Sequence, residues 1–120
     1  KEYDPLRFAP PREEDKRKAF SFIGFGGVQV DVLRDVTFRL PPITAAEAEE
    51  AIAELRLAPL LEGLRGAARA DRAALADAIA RFSWLVADLG VEIAEVDVNP
   101  LAVLPEGQGV RVLDALVVKA

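Results

Sequence analysis

The chain contains no histidine, no cysteine and no methionine among its 120 residues. Each absence removes a class of chemistry. Without histidine there is no Ser-His-Asp triad, and no phosphohistidine is carried on these residues. Without cysteine there are no disulfides, thiolate metal sites or cysteine nucleophiles, which fits a reducing compartment. Without methionine there is no initiator residue, so the chain is expected to be processed or to be a piece of a longer polypeptide. Long apolar runs are missing too. None approaches the roughly 20 residues of a membrane span, and no signal-peptide pattern opens the chain. A cytoplasmic location with no membrane partner is the expectation. Clustered positive charge is also lacking. The net charge is −5, whereas non-specific binding to a phosphate backbone needs grouped lysine and arginine, so no nucleic-acid partner is expected.

What is present is globular composition, 52% hydrophobic and 29% charged, enough to bury roughly two-thirds of the unfolded surface. Residues 1–19 hold three prolines and a dense charge run from Arg12 to Lys18, and read as a linker or loop without regular structure. Residues 20–120 read as the folded unit. The run "FSFIGFGGVQVDVLRDVTFRL" predicts a strand, a glycine turn and two further strands, with the reversal at Arg34-Asp35. Val28, Val30 and Val32 alternate with Gln29, Asp31 and Leu33, giving one apolar face.

Pro41-Pro42 ends the strands, and Thr44 with Glu47 forms a capping box for a helix over about 45–56, with Ala48, Ile52 and Leu55 on one stripe. Asp71 caps a longer helix whose apolar stripe is Leu75, Ile79, Phe82, Leu85, Val86 and Leu89, closed by Gly90. Two Val- and Leu-rich runs, "EIAEVDVNPLAVL" and "VRVLDALVV", flank a turn from Pro105 to Gly109 and predict a hairpin. The order predicts an α+β fold, an antiparallel or mixed sheet with two helices packed on one face.

The hairpin carries carboxylates where valine is expected. Asp114 sits in "VLDALVV", a run expected to be largely buried, and an isolated ionised carboxylate is costly there. It must be paired, protonated, metal-bound or open to a cleft. If Val103 faces Val110, Asn99 lies opposite Asp114, and Asp97 shares that face by the two-residue period. Two carboxylates and an amide oxygen suit a hard divalent cation such as Mg²⁺. A slip of one residue would send Asn99 to the other face. Asn-Pro is equally a common strand-end signal, and Asp114 could pair with Arg111 or Arg39. Spacing alone leaves both readings open. Gly24, Gly26 and Gly27 either let the backbone approach a phosphate or form an ordinary glycine-rich turn, and match neither the P-loop nor the Rossmann fingerprint. Asp31 is a solvated strand residue or a ligand. Arg39 and Arg65 read as surface or ion-pair residues.

Taken together, "FIGFGGVQVDVLRDVTFRLPPIT", "LLEGLRG" and "EIAEVDVNPLAVLPEGQGVRVLDALVV" resemble the C-terminal part of the ATP-grasp domain of NDP-forming (ADP-forming) acyl-CoA synthetases. That group is similar in turn to the β subunit of succinyl-CoA ligase, and the resemblance runs from about Phe20 to Val118. It implies that Asp97, Asn99 and Asp114 bind the magnesium of MgATP, or of another NTP. It places Gly26, Gly27 and Asp31 near the nucleotide, although the family more often has glutamate at the position of Asp31. Leu64, Arg65 and Gly66 match a recurrent family loop. "DPLRFAP" followed by a charged stretch departs from the family's D-P-x-F-G-P, which leads directly into the strand.

The activity implied for a parent enzyme is acid + CoA + NTP ⇌ acyl-CoA + NDP + phosphate, with no residue of this chain in a covalent step and the isolated chain inactive. The implied partners are the remaining ATP-grasp half and domains that bind CoA and carry a phosphohistidine. A second reading is a non-catalytic regulatory or interaction module that keeps the half-fold, as in acetyltransferase fusions. A lysine-bearing nucleotide half together with a CoA-binding domain in the same protein would favour the ligase.

Overall fold

The computed structural model describes residues 6–9, 20–24, 35–63 and 66–120. Strands β1 (Leu6–Ala9), β2 (Phe20–Gly24), β3 (Val36–Arg39), β4 (Ile93–Val98) and β7 (Ala115–Lys119) form a five-stranded sheet. Its order is β3-β2-β1-β4-β7, and every pairing is antiparallel. Strands β5 (Leu101–Val103) and β6 (Val110–Val112) make a separate two-stranded ribbon. Among the described residues, two helices, α1 (Ala45–Ala53) and α2 (Arg72–Leu89), and 3₁₀ turns at Ala58–Glu62 and Gly90–Glu92 join these strands. The architecture is the expected α+β class, with two helices and antiparallel strands. Among the described residues no helix is long and apolar enough to cross a membrane.

The N-terminal segment departs from expectation. Residues 1–19 were to lack regular structure, yet Leu6–Ala9 is a strand inside the sheet, paired to β2 on one side and to β4 on the other. Its hydrogen bonds come from partners distant in sequence. The prolines and charges around it describe only its neighbours, so local composition is silent about the pairing. The expected strand over 28–32, the glycines Gly26 and Gly27, Asp31, and the Leu64-Arg65 pair lie outside the described residues.

Local chemistry sets the helix starts. The Thr44 hydroxyl accepts the Glu47 amide at 3.1 Å, and the Glu47 carboxylate accepts the Thr44 amide at 3.1 Å. Both halves of the capping box are thus formed. Helix α1 stops at Ala53, short of the expected Arg56, because a carboxylate takes over the backbone beyond it. Asp35 is buried and accepts the Arg56 amide at 2.6 Å and the Leu57 amide at 3.0 Å. That satisfies donors at the entry to the 3₁₀ turn.

Helix α2 buries Leu75, Ala76, Ile79, Ala80, Ser83 and Val86. Phe82 and Leu89 are half-buried, and Leu85, expected in the stripe, is 46% exposed. The small residues Ala76, Ala80 and Ser83 turn inward instead, because α1 packs closely against this helix. Ser83 also accepts the Ile43 amide at 2.9 Å, fastening the chain before α1 to α2. The core joins Ile43, Ile52, Leu55, Leu61, Leu75 and Ile79 to Val98 and Leu101 of the strands.

The hairpin tip is fastened to the start of α2. Pro105 bridges Ala70, the Asp71 amide donates to Leu104 at 2.7 Å, and the Glu106 amide donates to Arg69 at 2.8 Å. The Asp71 carboxylate accepts Ala74 as a helix cap and also accepts the amides of Gly107 and Gly109 at 3.1 and 2.8 Å. Both glycines have φ near +87° and +85°, a conformation that costs other residues a Cβ clash. Bonds from the Gly109 and Ala74 amides hold the Asp71 carboxyl below its ordinary range; partial burial opposes them, and the Gly107 bond adds to the lowering.

Two outcomes are expected. Asp35→Ala leaves two amides without their acceptor and costs about 1–3 kcal/mol in urea unfolding with an unchanged m-value. For Asp71 the folded pKa lies below the unfolded value of about 3.9, so its stabilisation is complete above that pH and is lost as pH falls through the folded pKa. Asp71→Asn should lower the melting temperature at pH 7 and make the remaining stability less sensitive to acid below about pH 4, as read by thermal melts across pH.

Candidate metal centre

Strands β4 and β5 run against β6 and β7 as one long antiparallel pair. Glu95 faces Val118, Asp97 faces Leu116 and Val98 faces Ala115. Beyond a break, Leu101 faces Val112 and Val103 faces Val110, in the same register. "VRVLDALVV" is therefore two strands, not one, interrupted at Leu113-Asp114 opposite Asn99-Pro100. The Asn99–Pro100 peptide is cis. Backbone bonds cross the interruption, from the Asn99 amide to the Asp114 carbonyl and from the Leu113 amide to the Pro100 carbonyl, both at 3.0 Å.

This register sets Asn99 beside Asp114. Asp97 lies two residues earlier on β4, opposite Leu116, in a strand flanked by β1 and β7, where Arg7 is its backbone partner on β1. Directly opposed residues share a face, and the next pair along that face is two residues on. Asp97, Asn99 and Asp114 thus belong to one face at the root of the hairpin. Asp97 and Asn99 are half-buried and Asp114 is exposed. The Oδ1 of Asp114 accepts the Ala115 amide at 2.9 Å, which orients the carboxylate.

Two expectations about Asp114 change. Its strand was to be largely buried, but every residue of β7 is exposed, and among the described residues β7 is the last strand of the sheet. A pairing with Arg39 was also open. Arg39 instead bonds to Glu54 and donates to Thr37 at 3.0 Å, and the Glu54 bond raises the arginine pKa. Bonds from Arg39 and Thr37 lower the Glu54 carboxyl. With Glu54 half-exposed, solvent screening keeps that pair weak. Among the described residues Asp114 forms no ion pair, with Arg111 or any other cation.

The donor set fits a small hard cation. All three side chains offer oxygen, and Mg²⁺ takes one or two carboxylates while keeping waters or phosphate oxygens for the rest of its octahedron. Among the described residues no group of three or more histidine, cysteine, aspartate or glutamate side chains gathers as a closed cage. Two carboxylates and an amide oxygen on one partly solvated face are donors of the type a nucleotide-borne cation takes. The clamp that keeps this face in register was missed at the sequence level. Asp71 carried a signal as a helix cap, but nothing in the chain links it to Gly107 and Gly109, 36 and 38 residues away.

The family model for the ATP-grasp domain matches residues 20–118. The chain is 46% identical over 92 residues to the 4-hydroxybutyrate–CoA ligase (ADP-forming) of Nitrosopumilus maritimus, covering 77% of this chain and 13% of that protein. It is 43% identical over 95 residues to subunit beta of acetate–CoA ligase (ADP-forming) II of Pyrococcus furiosus, covering 79% of this chain and 40% of the subunit. Among solved structures, the dinucleotide-forming acetyl-coenzyme A synthetase 1 of Ca. Korarchaeum cryptofilum, in complex with coenzyme A and Mg-AMPPCP, superposes with a TM-score of 0.82 at 32% identity. The match covers 96% of this chain and 51% of that one. A Pyrococcus horikoshii protein superposes at 0.84 with 33% identity, covering 96% and 47%. The chain spans about half or less of the length of each of these proteins. With most of its residues matched and its fold shared, the chain belongs to the ATP-grasp family.

Proposed function

We propose that these 120 residues are the magnesium- and nucleotide-holding part of an NDP-forming acid–CoA ligase, which joins an acid to CoA at the expense of an NTP. The observation that carries this reading is the hairpin register that puts Asn99 beside Asp114 with Asp97 on the same face, in a chain whose relatives are ADP-forming CoA ligases. Asp97, Asn99 and Asp114 would hold the ion. Bound there, Mg²⁺ supplies positive charge against the nucleotide phosphates during phosphoryl transfer.

The contribution of this chain is positioning. The Ala115 amide orients Asp114, and the clamp around Asp71 holds the hairpin. Gly26, Gly27 and Asp31 belong beside the nucleotide in this reading, where bare glycine backbone can approach a phosphate. With no histidine here, a phosphohistidine must sit on another domain, together with CoA-binding residues and the remaining half of the nucleotide site. In the Korarchaeum synthetase solved with coenzyme A and Mg-AMPPCP, a phosphohistidine segment points towards the nucleotide-binding site, which supports that division of labour. The cytoplasm, with its NTP and CoA pools, is the matching location.

Asp114→Asn in the complete protein should lower acyl-CoA formation by roughly 100-fold, a scale typical of losing one charged group at a metal or transition-state site. It should leave the melting temperature nearly unchanged, since the residue is exposed and asparagine can still accept the Ala115 amide. A loss of activity that merely follows unfolding would count against the assignment, as would full activity. Titration calorimetry of the 120-residue chain with MgATP should give a Kd weaker than about 1 μM (about −8 kcal/mol), because only part of the site lies here.

A further inference from the structure

Strand β1 lies between β2 and β4 in the middle of the sheet and sets Arg7 in direct register with Asp97. The same row crosses all five strands as Phe38, Phe22, Arg7, Asp97 and Leu116, each the backbone partner of the next. Directly opposed residues share a face, and neighbouring strands are about 5 Å apart. Arg7 and Asp97 are the two charged positions of that row, and they are adjacent in it. The ATP-grasp match begins at residue 20, so β1 lies outside it.

Charge on this face does not balance with the ion alone. Asp97 and Asp114 cancel the two positive charges of one Mg²⁺, which leaves the charge of a nucleotide's phosphates uncompensated. Sites of phosphoryl transfer meet that need with a lysine or arginine near the metal. Arg39 does not supply it. As the neighbour of Phe38 on β3 it belongs to the opposite face, and it is tied to Glu54. We propose that Arg7 is a phosphate-binding residue of the nucleotide site, the cation for phosphate oxygens that the ion leaves unheld. The planar fork of an arginine suits paired phosphate oxygens. This assignment rests on the magnesium reading of Asp97, Asn99 and Asp114. It differs from a structural role, in which Arg7 would only neutralise Asp97.

The test uses the complete protein, with calorimetry for MgATP and Mn²⁺ alone as a paramagnetic probe of the ion site. Arg7→Met should weaken MgATP binding about 10- to 100-fold, the scale of a lost charge-assisted hydrogen bond. Arg7→Lys, which keeps the charge and loses the fork, should fall between Arg7→Met and the parent. Mn²⁺ binding without nucleotide should stay within about threefold of the parent or tighten, because a like charge has left the face. Unchanged MgATP affinity in Arg7→Met would overturn the proposal. So would a parallel loss of Mn²⁺ and MgATP affinity, the mark of a residue that only keeps β1 in the sheet. Where Arg7→Met fails to fold, Arg7→Lys decides, and parent-like MgATP affinity in it overturns the assignment. Asp114→Asn separates the two readings. If it leaves Mn²⁺ binding intact, the magnesium assignment fails and this proposal with it. If it weakens Mn²⁺ binding while Arg7→Met leaves MgATP affinity alone, only the assignment of Arg7 fails.

Discussion

One buried carboxylate, Asp71, gathers three backbone amides from two distant places in the chain, and the position of the hairpin depends on it. Ala74 belongs to the helix that Asp71 caps; Gly107 and Gly109 belong to the hairpin turn. The helix start and the turn are therefore joined at a point, reinforced by the main-chain bonds from Asp71 to Leu104 and from Glu106 to Arg69. Fixing the tip of a hairpin fixes its register, and register decides which side chains meet at its root. The arrangement of Asn99 and Asp114 at one end is thus tied to a glycine turn at the other.

The fold keeps its apolar interior and its carboxylate face in different places. Ile52, Leu75, Ile79, Val98 and Leu101 close the core between the helices and the strands. Asp97, Asn99 and Asp114 stand where both hairpin strands break, and the break has chemical consequences. Regular pairing would continue the apolar pattern through positions 99–100 and 113–114, whereas the interruption leaves Asp114 exposed with its carboxylate oriented by its own neighbour.

The two ends of the sheet are treated differently. Strand β3 carries Arg39 and Thr37, whose side chains are tied to Glu54 just beyond α1, while Phe38 between them is 59% exposed. Strand β7 has no charge within its apolar run, and its five residues are all exposed.

By itself the sequence determined the elements whose signals are local. The capping box of Thr44 and Glu47, the cap at Asp71, the closing Gly90 and the hairpin around Pro105 to Gly109 depend on residues within a few positions of one another, and all are found. The pattern Asp97, Asn99, Asp114 was legible because the period of a strand converts spacing into facing. Tertiary structure alone decided the rest. Leu6–Ala9 became a strand through partners on both sides that its prolines and charges do not foreshadow. Leu85 was turned outward and Ser83 inward by the packing of α1. Asp35 ended α1 early from a position 21 residues away. Apolar composition marked β7 as a strand meant for burial, but exposure depends on what lies beside it, and that is a property of the assembled sheet and not of its residues.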